Sequence, residues 1–208
     1  MGLLKSAKAA WYSVPAELSK GALKGQLIRL SDPARYRQLK SIRPDRKQLV
    51  AEKKRLVGLI RAACKSGGIN LLKVYGRVKT LGSLDRKVRY GKKMYSGHAE
   101  EFSRDDLIGL TIVVKSERAA HSVLDALKTI GDFPKLPFRD NPRDYFRHAE
   151  KVRRPEVILS EAITGNFRTK GIEGCLTHIK ICTEKSQSEE TQNRGLYKKK
   201  IWKKIRGK

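Results

Sequence analysis

Residues 75–90, YGRVKTLGSLDRKVRY, gather Arg77, Lys79, Arg86, Lys87 and Arg89 around a short turn over residues 80–83. The first half reads as a strand, on which alternation sends Arg77 and Lys79 to the same side. The second half reads as a helix through roughly Leu84 to Met94. Ser83 lies near its N-terminus, and Lys87 follows one turn later on the same face. A helix start offers N–H groups and a positive dipole end, and Gly82 lets a backbone approach closely. Cations and a helix start converging on one point suit a triphosphate. Such a ligand brings magnesium, which binds through one or two carboxylates and phosphate oxygens. Asp106, at the mouth of the next apolar run, has the right chemistry and place. Singly, each piece is an ordinary strand edge or solvated helix face. Their order and spacing favour a site.

Outward from this stretch, strands and helices alternate. A helix beginning after Pro44 carries Leu49, Leu56, Ile60 and Ala63 on one stripe, with Val50, Val57 and Cys64 beside it, and ends at Gly67 and Gly68. Leu107 to Val114 is a continuous apolar run, the pattern of a buried strand. The segment SERAAHSVLDALKTIG predicts a helix capped by Ser116, with Ala120, Val123, Leu124 and Leu127 inward and Gly131 at its end. Residues 132–156 read as loop, and short strands are expected near Val157–Ala162 and Cys175–Ile181. The fold class expected is α/β (α+β): a mixed central sheet flanked by helices, with helical extensions at both ends. The boundaries expected are a basic extension over 1–45, a central domain over 46–185 and a basic C-terminal helix over 186–208.

Charge separates this chain from an average one. Forty-seven Lys and Arg against 21 Asp and Glu give +26, which raises affinity for polyanions without naming one. The last fifteen residues, RGLYKKKIWKKIRGK, include eight cations. Lys198, Lys199, Lys200, Lys203, Lys204 and Arg206 there are candidates for nucleic-acid contact, with Tyr197 and Trp202 interleaved for stacking. The plainer reading is a helix docked through Tyr197, Ile201 and Ile205. Cys64, Cys175 and Cys182 lack CxxC spacing and are expected to be reduced thiols, neither a disulfide framework nor a zinc site. No apolar run nears the roughly 18 residues that span a bilayer, so no membrane partner is expected and a cytoplasmic location is the default. No helix-turn-helix or zinc signature marks a DNA-binding protein.

GRVKTLGSLDRK, followed about 20 residues on by DLIGLTIVV, resembles the synthetase domain of the RelA/SpoT alarmone synthetases, including its small and toxin-like members. That family's pattern is roughly G-R-x-K-x-x-x-S-x-x-x-K, then D-[LI]-[IV]-[GA]-[LI]-R before a hydrophobic strand. RDYF, from Arg143 to Phe146, is similar to the family's K-D-Y-I, and HIKICTEK to its closing E-x-Q-I-R-T strand. The resemblance implies a nucleotidyltransferase-like fold and transfer of the β,γ-pyrophosphate of ATP to a 3′-hydroxyl of GDP, GTP or, in the toxin branch, tRNA. By position, Arg77, Lys79, Ser83 and Lys87 would hold ATP phosphates. Asp106 would bind Mg2+, and Arg143 and Tyr145 would take nucleotide-binding places of K-D-Y-I.

The departures fall on the chemistry. The arginine after D-L-I-G-L is Thr111, and the aromatic of G-Y-x-S-x-H falls on Pro155. The glutamate, glutamine and arginine of E-x-Q-I-R-T fall on His178, Lys180 and Cys182. That glutamate is the family's second metal ligand and candidate base. Histidine can take a proton near neutral pH but is a poor magnesium ligand. Glu161 or Glu173 would substitute in a different register. Two functions therefore follow: a divergent pyrophosphokinase, or a catalytically silent relative that binds RNA or a ribosome.

Overall fold

The computed structural model describes residues 20–94, 107–135, 140–147, 161–169 and 176–189. Helices α1 (Lys20–Ser31), α2 (Pro33–Ile42) and α3 (Arg46–Ser66) precede strand β1 (Lys73–Val78) and helix α4 (Leu81–Met94). Strand β2 (Ile108–Val114), helix α5 (Glu117–Ile130) and strands β3 (Arg143–Asp144), β4 (Ala162–Phe167) and β5 (Thr177–Thr183) follow. The five strands form one mixed sheet in the order β1-β2-β5-β4-β3. Only β2 and β5 run parallel; the other pairs are antiparallel. The expected mixed sheet flanked by helices is what the chain adopts, while residues 190–208 of the expected C-terminal helix lie outside the described residues.

Local chemistry sets the helix ends. Asp32 accepts from the Arg35 N–H at 2.9 Å with Pro33 in the first turn of α2, and Asp45 accepts from the Lys47 N–H to cap α3. Ser116 caps α5 as expected, accepting from the Ala119 N–H, and Gly131 closes it through an N–H to the Leu127 carbonyl. Gly68, after α3, has a φ of 66°, which glycine adopts without the penalty a side chain brings.

Helices α3 and α5 cover one face of the sheet, while α1 and α2 pack on α4 beside it. One core joins Leu39 of α2, Leu49, Leu56, Ile60 and Cys64 of α3, Leu84 and Val88 of α4, and Ala120, Val123 and Leu127 of α5. The sheet contributes Ile108, Leu110, Ile112, Val114, Ile163, Phe167, Ile179 and Ile181, every second residue of its strands. The buried stripe of α3 ends on Cys64, whereas Ala63 is only half-buried. Burial raises the Cys64 thiol above its ordinary value, so it stays protonated and unreactive at neutral pH. Cys64 and Cys182 are both buried thiols, and neither is expected to react with a disulfide reagent until the chain is unfolded. Rapid labelling of the native protein at either position would contradict this packing.

Asp85 ties α4 to α2. It accepts from Arg35 Nε at 3.0 Å and from Arg89 Nε at 3.0 Å, with the Asp85 and Arg35 side chains 9% and 13% exposed. Asp85→Ala leaves a largely buried guanidinium without its counter-charge. A loss of about 3 kcal/mol is expected, read from the urea midpoint. A shift under about 1 kcal/mol would mean that water replaces the carboxylate there.

Three expected elements lie elsewhere. Of the strand expected near Val157–Ala162, residues 157–160 lie outside the described residues, and the described strand is Ala162–Phe167. A Cβ on Gly165 would come within 2.8 Å of Phe133 and of Asn141 Oδ1, so the strand needs glycine there. Helix α4 starts at Leu81 rather than Leu84, because Thr80 caps it through its side chain. The loop expected over 132–156 contains β3, paired to β4 by Arg143↔Thr164 and Asp144↔Ile163. The last strand is Thr177–Thr183, two residues later than expected.

Candidate functional site

The sheet face opposite α3 and α5 is polar, and its register sorts the side chains into rows. Arg77, Gly109, His178 and Asn166 are paired in sequence across β1, β2, β5 and β4. Tyr75, Thr111, Lys180, Thr164 and Arg143 form the next row. Paired residues share a face, so both rows point away from the helices. Beyond them Val113, Ala162 and Cys182 form a small apolar cluster that closes the far end.

Arg77 is exposed on the open face, and its Cα lies two strands, about 10 Å, from that of His178. Lys79 follows the end of β1; its N–H donates to the Leu107 carbonyl at 2.8 Å and its side chain is buried. Ser83 and Lys87 are half-buried on α4. One expectation about this turn is corrected. The Ser83 N–H is held by Thr80, through its carbonyl at 3.0 Å and its hydroxyl at 3.3 Å, so this donor is spent on the cap. The Ser83 hydroxyl meets the Thr80 hydroxyl at 3.1 Å and an Arg86 nitrogen at 3.5 Å. The Leu84 N–H is likewise held by the Thr80 carbonyl, at 2.9 Å.

At the other side of the face, Arg143, Tyr145, Thr164 and His178 line a cavity of about 30 Å³ with Asp140 and Asn141. That volume suits a water or a small polar group. Asn141 holds this wall in place. Its Oδ1 accepts from the Asn166 N–H at 2.7 Å, and its Nδ2 donates to the carbonyls of Asn166 at 2.8 Å and Pro134 at 2.7 Å. Asn166 itself is fully buried, and among the described residues neither atom of its side-chain amide has a hydrogen-bond partner. Sequence reasoning missed Asp140, Asn141 and Asn166. Only their nearness to RDYF and to the β4–β5 pairing could have flagged them.

The strand register bears on the missing acid. Thr177–Thr183 contains no Asp or Glu, and His178, Lys180 and Cys182 occupy its open-face positions. Glu161 cannot replace an acid at position 178. It precedes Ala162, which pairs with Cys182, four residues or about 13 Å along β5 from His178. Asp106, Glu173, Pro155 and the basic stretch from Lys198 to Arg206 lie outside the described residues. Among the described residues no group of three or more His, Cys, Asp or Glu could hold a metal. Among the described residues lining the cavity, Asp140 is the one carboxylate. Among the described residues no helix is long and apolar enough to cross a membrane.

No protein-family model matches the sequence. No curated protein matches it closely enough to count as a relative. Solved structures do share its fold. Small alarmone synthetase 1 from Bacillus subtilis, bound to its product pppGpp, superposes with a TM-score of 0.52 at 24% identity, over 84% of this chain and 82% of that one. A GTP pyrophosphokinase family protein from Streptococcus pneumoniae gives 0.51 at 19% identity, over 77% and 83%. Small alarmone synthetase 2 from Bacillus subtilis gives 0.51 at 18% identity, over 74% and 79%. At these identities the likeness is one of fold.

Proposed function

We propose that the chain is a divergent pyrophosphokinase-like protein that binds ATP beside Arg77, Lys79, Ser83 and Lys87 and transfers its β,γ-pyrophosphate to a 3′-hydroxyl. The acceptors that fit are GDP, GTP and the 3′ end of tRNA. The observation that carries this reading is the row Arg77–Gly109–His178–Asn166, which sets a phosphate-binding cation and an imidazole on one strip of the open face. The acceptor oxygen forms a bond to the β-phosphorus while the bond from that phosphorus to the α,β-bridging oxygen breaks, and AMP leaves carrying that oxygen. His178 takes the hydroxyl proton in place of the glutamate found in the resembling family. Magnesium, held by Asp106 and the phosphates, would neutralise the charge that develops. Arg143 and Tyr145 stand across the cavity from the cradle, where an acceptor's phosphates and sugar would lie.

The assay is transfer of label from γ-labelled ATP to GDP, GTP and bulk tRNA in turn. Label on an acceptor, lost in Asp106→Ala, is expected; ATP binding that ignores both magnesium and Asp106 would remove the metal from the scheme. His178→Glu tests the base, since restoring the carboxylate is expected to raise transfer. If His178→Ala transfers as fast as the parent chain, the imidazole is not the base.

The second reading is a silent fold that binds RNA. It is favoured by the +26 charge and by an open sheet face carrying Lys73, Arg77, Lys180 and Arg143 beside the exposed ring of Tyr75. No transfer to any acceptor, together with RNA binding that weakens steeply with salt, would select it.

A further inference from the structure

Strand β3 is only two residues long and lies at the edge of the sheet, so it cannot hold its own geometry. Yet it presents Arg143, and the residue after it presents Tyr145, to the cavity that His178 also lines. Two backbone links fix it from one side: the pairing with β4 and the Tyr145 N–H donating to the Ala162 carbonyl at 2.9 Å. The third comes from the helix side, through the residue between them.

Asp144 alternates with Arg143 and points toward α5. Its Oδ1 accepts from the backbone N–H groups of Phe146 at 3.1 Å and Arg147 at 3.3 Å, which folds the turn after β3. Its Oδ2 meets His121 Nε2 at 2.7 Å and Arg147 Nε at 3.5 Å. His121 is oriented in turn by Nδ1, 3.1 Å from the Glu117 carbonyl one turn back on α5. The two ring nitrogens thus face two acceptors, the Asp144 carboxylate and the Glu117 carbonyl. The His121 ring also stands 6.1 Å from that of Phe146, centroid to centroid. Arg147 is exposed and longer, so His121 is the stiff member of this contact.

We propose that His121 is a positioning residue: through Asp144 it fixes Arg143 and Tyr145 on the wall of the acceptor side of the site. This rests on the transfer reading above. His121 touches no reacting group; it acts by setting where a guanidinium and a phenol stand. The nucleotide cradle at Arg77 is on the opposite edge of the sheet, four strands away in the strand order, and does not depend on it.

The test compares His121→Leu, which keeps bulk and removes both ring nitrogens, with His121→Gln, whose amide can still donate to Asp144. For the acceptor that takes label, His121→Leu is expected to raise KM about tenfold, with ATP affinity within twofold of the parent chain. His121→Gln is expected to recover most of that loss. An unchanged acceptor KM in His121→Leu, an equal fall in ATP affinity, or a glutamine variant as poor as leucine would each overturn the proposal. Amide hydrogen exchange of Tyr145, Phe146 and Arg147 supplies a readout independent of transfer. Faster exchange in His121→Leu but not in His121→Gln is expected, and equal exchange in all three chains refutes the tether. If the parent chain labels no acceptor, the function reading fails, and exchange alone decides whether His121 holds the turn.

Discussion

Gly76→Ala is expected to cost about 2–3 kcal/mol of stability and to blunt ATP binding without touching a phosphate ligand. A Cβ on Gly76 would come 2.3 Å from Leu110 Cδ2 and 2.8 Å from the Gly109 carbonyl oxygen. The leucine tip can rotate away, but the carbonyl belongs to the paired strand and cannot move without disturbing the β1–β2 ladder. That ladder sets Arg77 opposite Gly109 and Val78 opposite Ile108. The strain therefore reaches the next residue, the first cation of the cradle. A urea melt gives the stability and calorimetry with magnesium and ATP gives the binding. A melting midpoint equal to that of the parent chain would show that β1 and β2 can part to admit a methyl group.

Arg77→Ala should separate binding from folding. Arg77 is exposed and on the open face, so its removal leaves the core intact and the urea midpoint nearly unchanged. A charge-assisted hydrogen bond to phosphate contributes about 1.5–3 kcal/mol, and its loss weakens ATP binding roughly 10- to 100-fold. Lys is not an equivalent replacement, because a point charge cannot reproduce the planar two-donor fork. Arg77→Lys is expected to fall between the two. A change under threefold for Arg77→Ala would place the triphosphate elsewhere and leave the row without a ligand.

Sequence patterning reached the elements whose chemistry is local. The α5 helix is legible because Ser116, the apolar stripe and Gly131 agree, and β2 is legible because its apolar run is continuous. Strand β4 was obscured: Gly165 and Asn166 have poor strand propensity, and each is kept by a contact with a distant partner, Phe133 or Asn141. Strand β3 has too few residues to carry a period. For the site, Arg77, Lys79, Ser83 and Lys87 stand in one continuous stretch, so spacing could suggest them. The cavity wall joins residues 140–145, 164–165 and 178, which only the β3-β4-β5 pairing brings side by side. Thr80 was hidden for a different reason: its capping of the Ser83 N–H is a local contact that no periodicity marks.

The sheet order has a consequence for how the chain is made. β5 is the last strand in sequence but lies between β2 and β4. Until it emerges from the ribosome, β2 and β4 each carry an open edge, and β2 is among the most apolar segments described. Closing the parallel β2–β5 pair spans more than 60 residues of intervening chain, a slow kind of contact to form. Nascent chains ending before Thr177 would then hold the Arg77 side of the face with two open edges beside it. His178 arrives with the strand that ends that exposure.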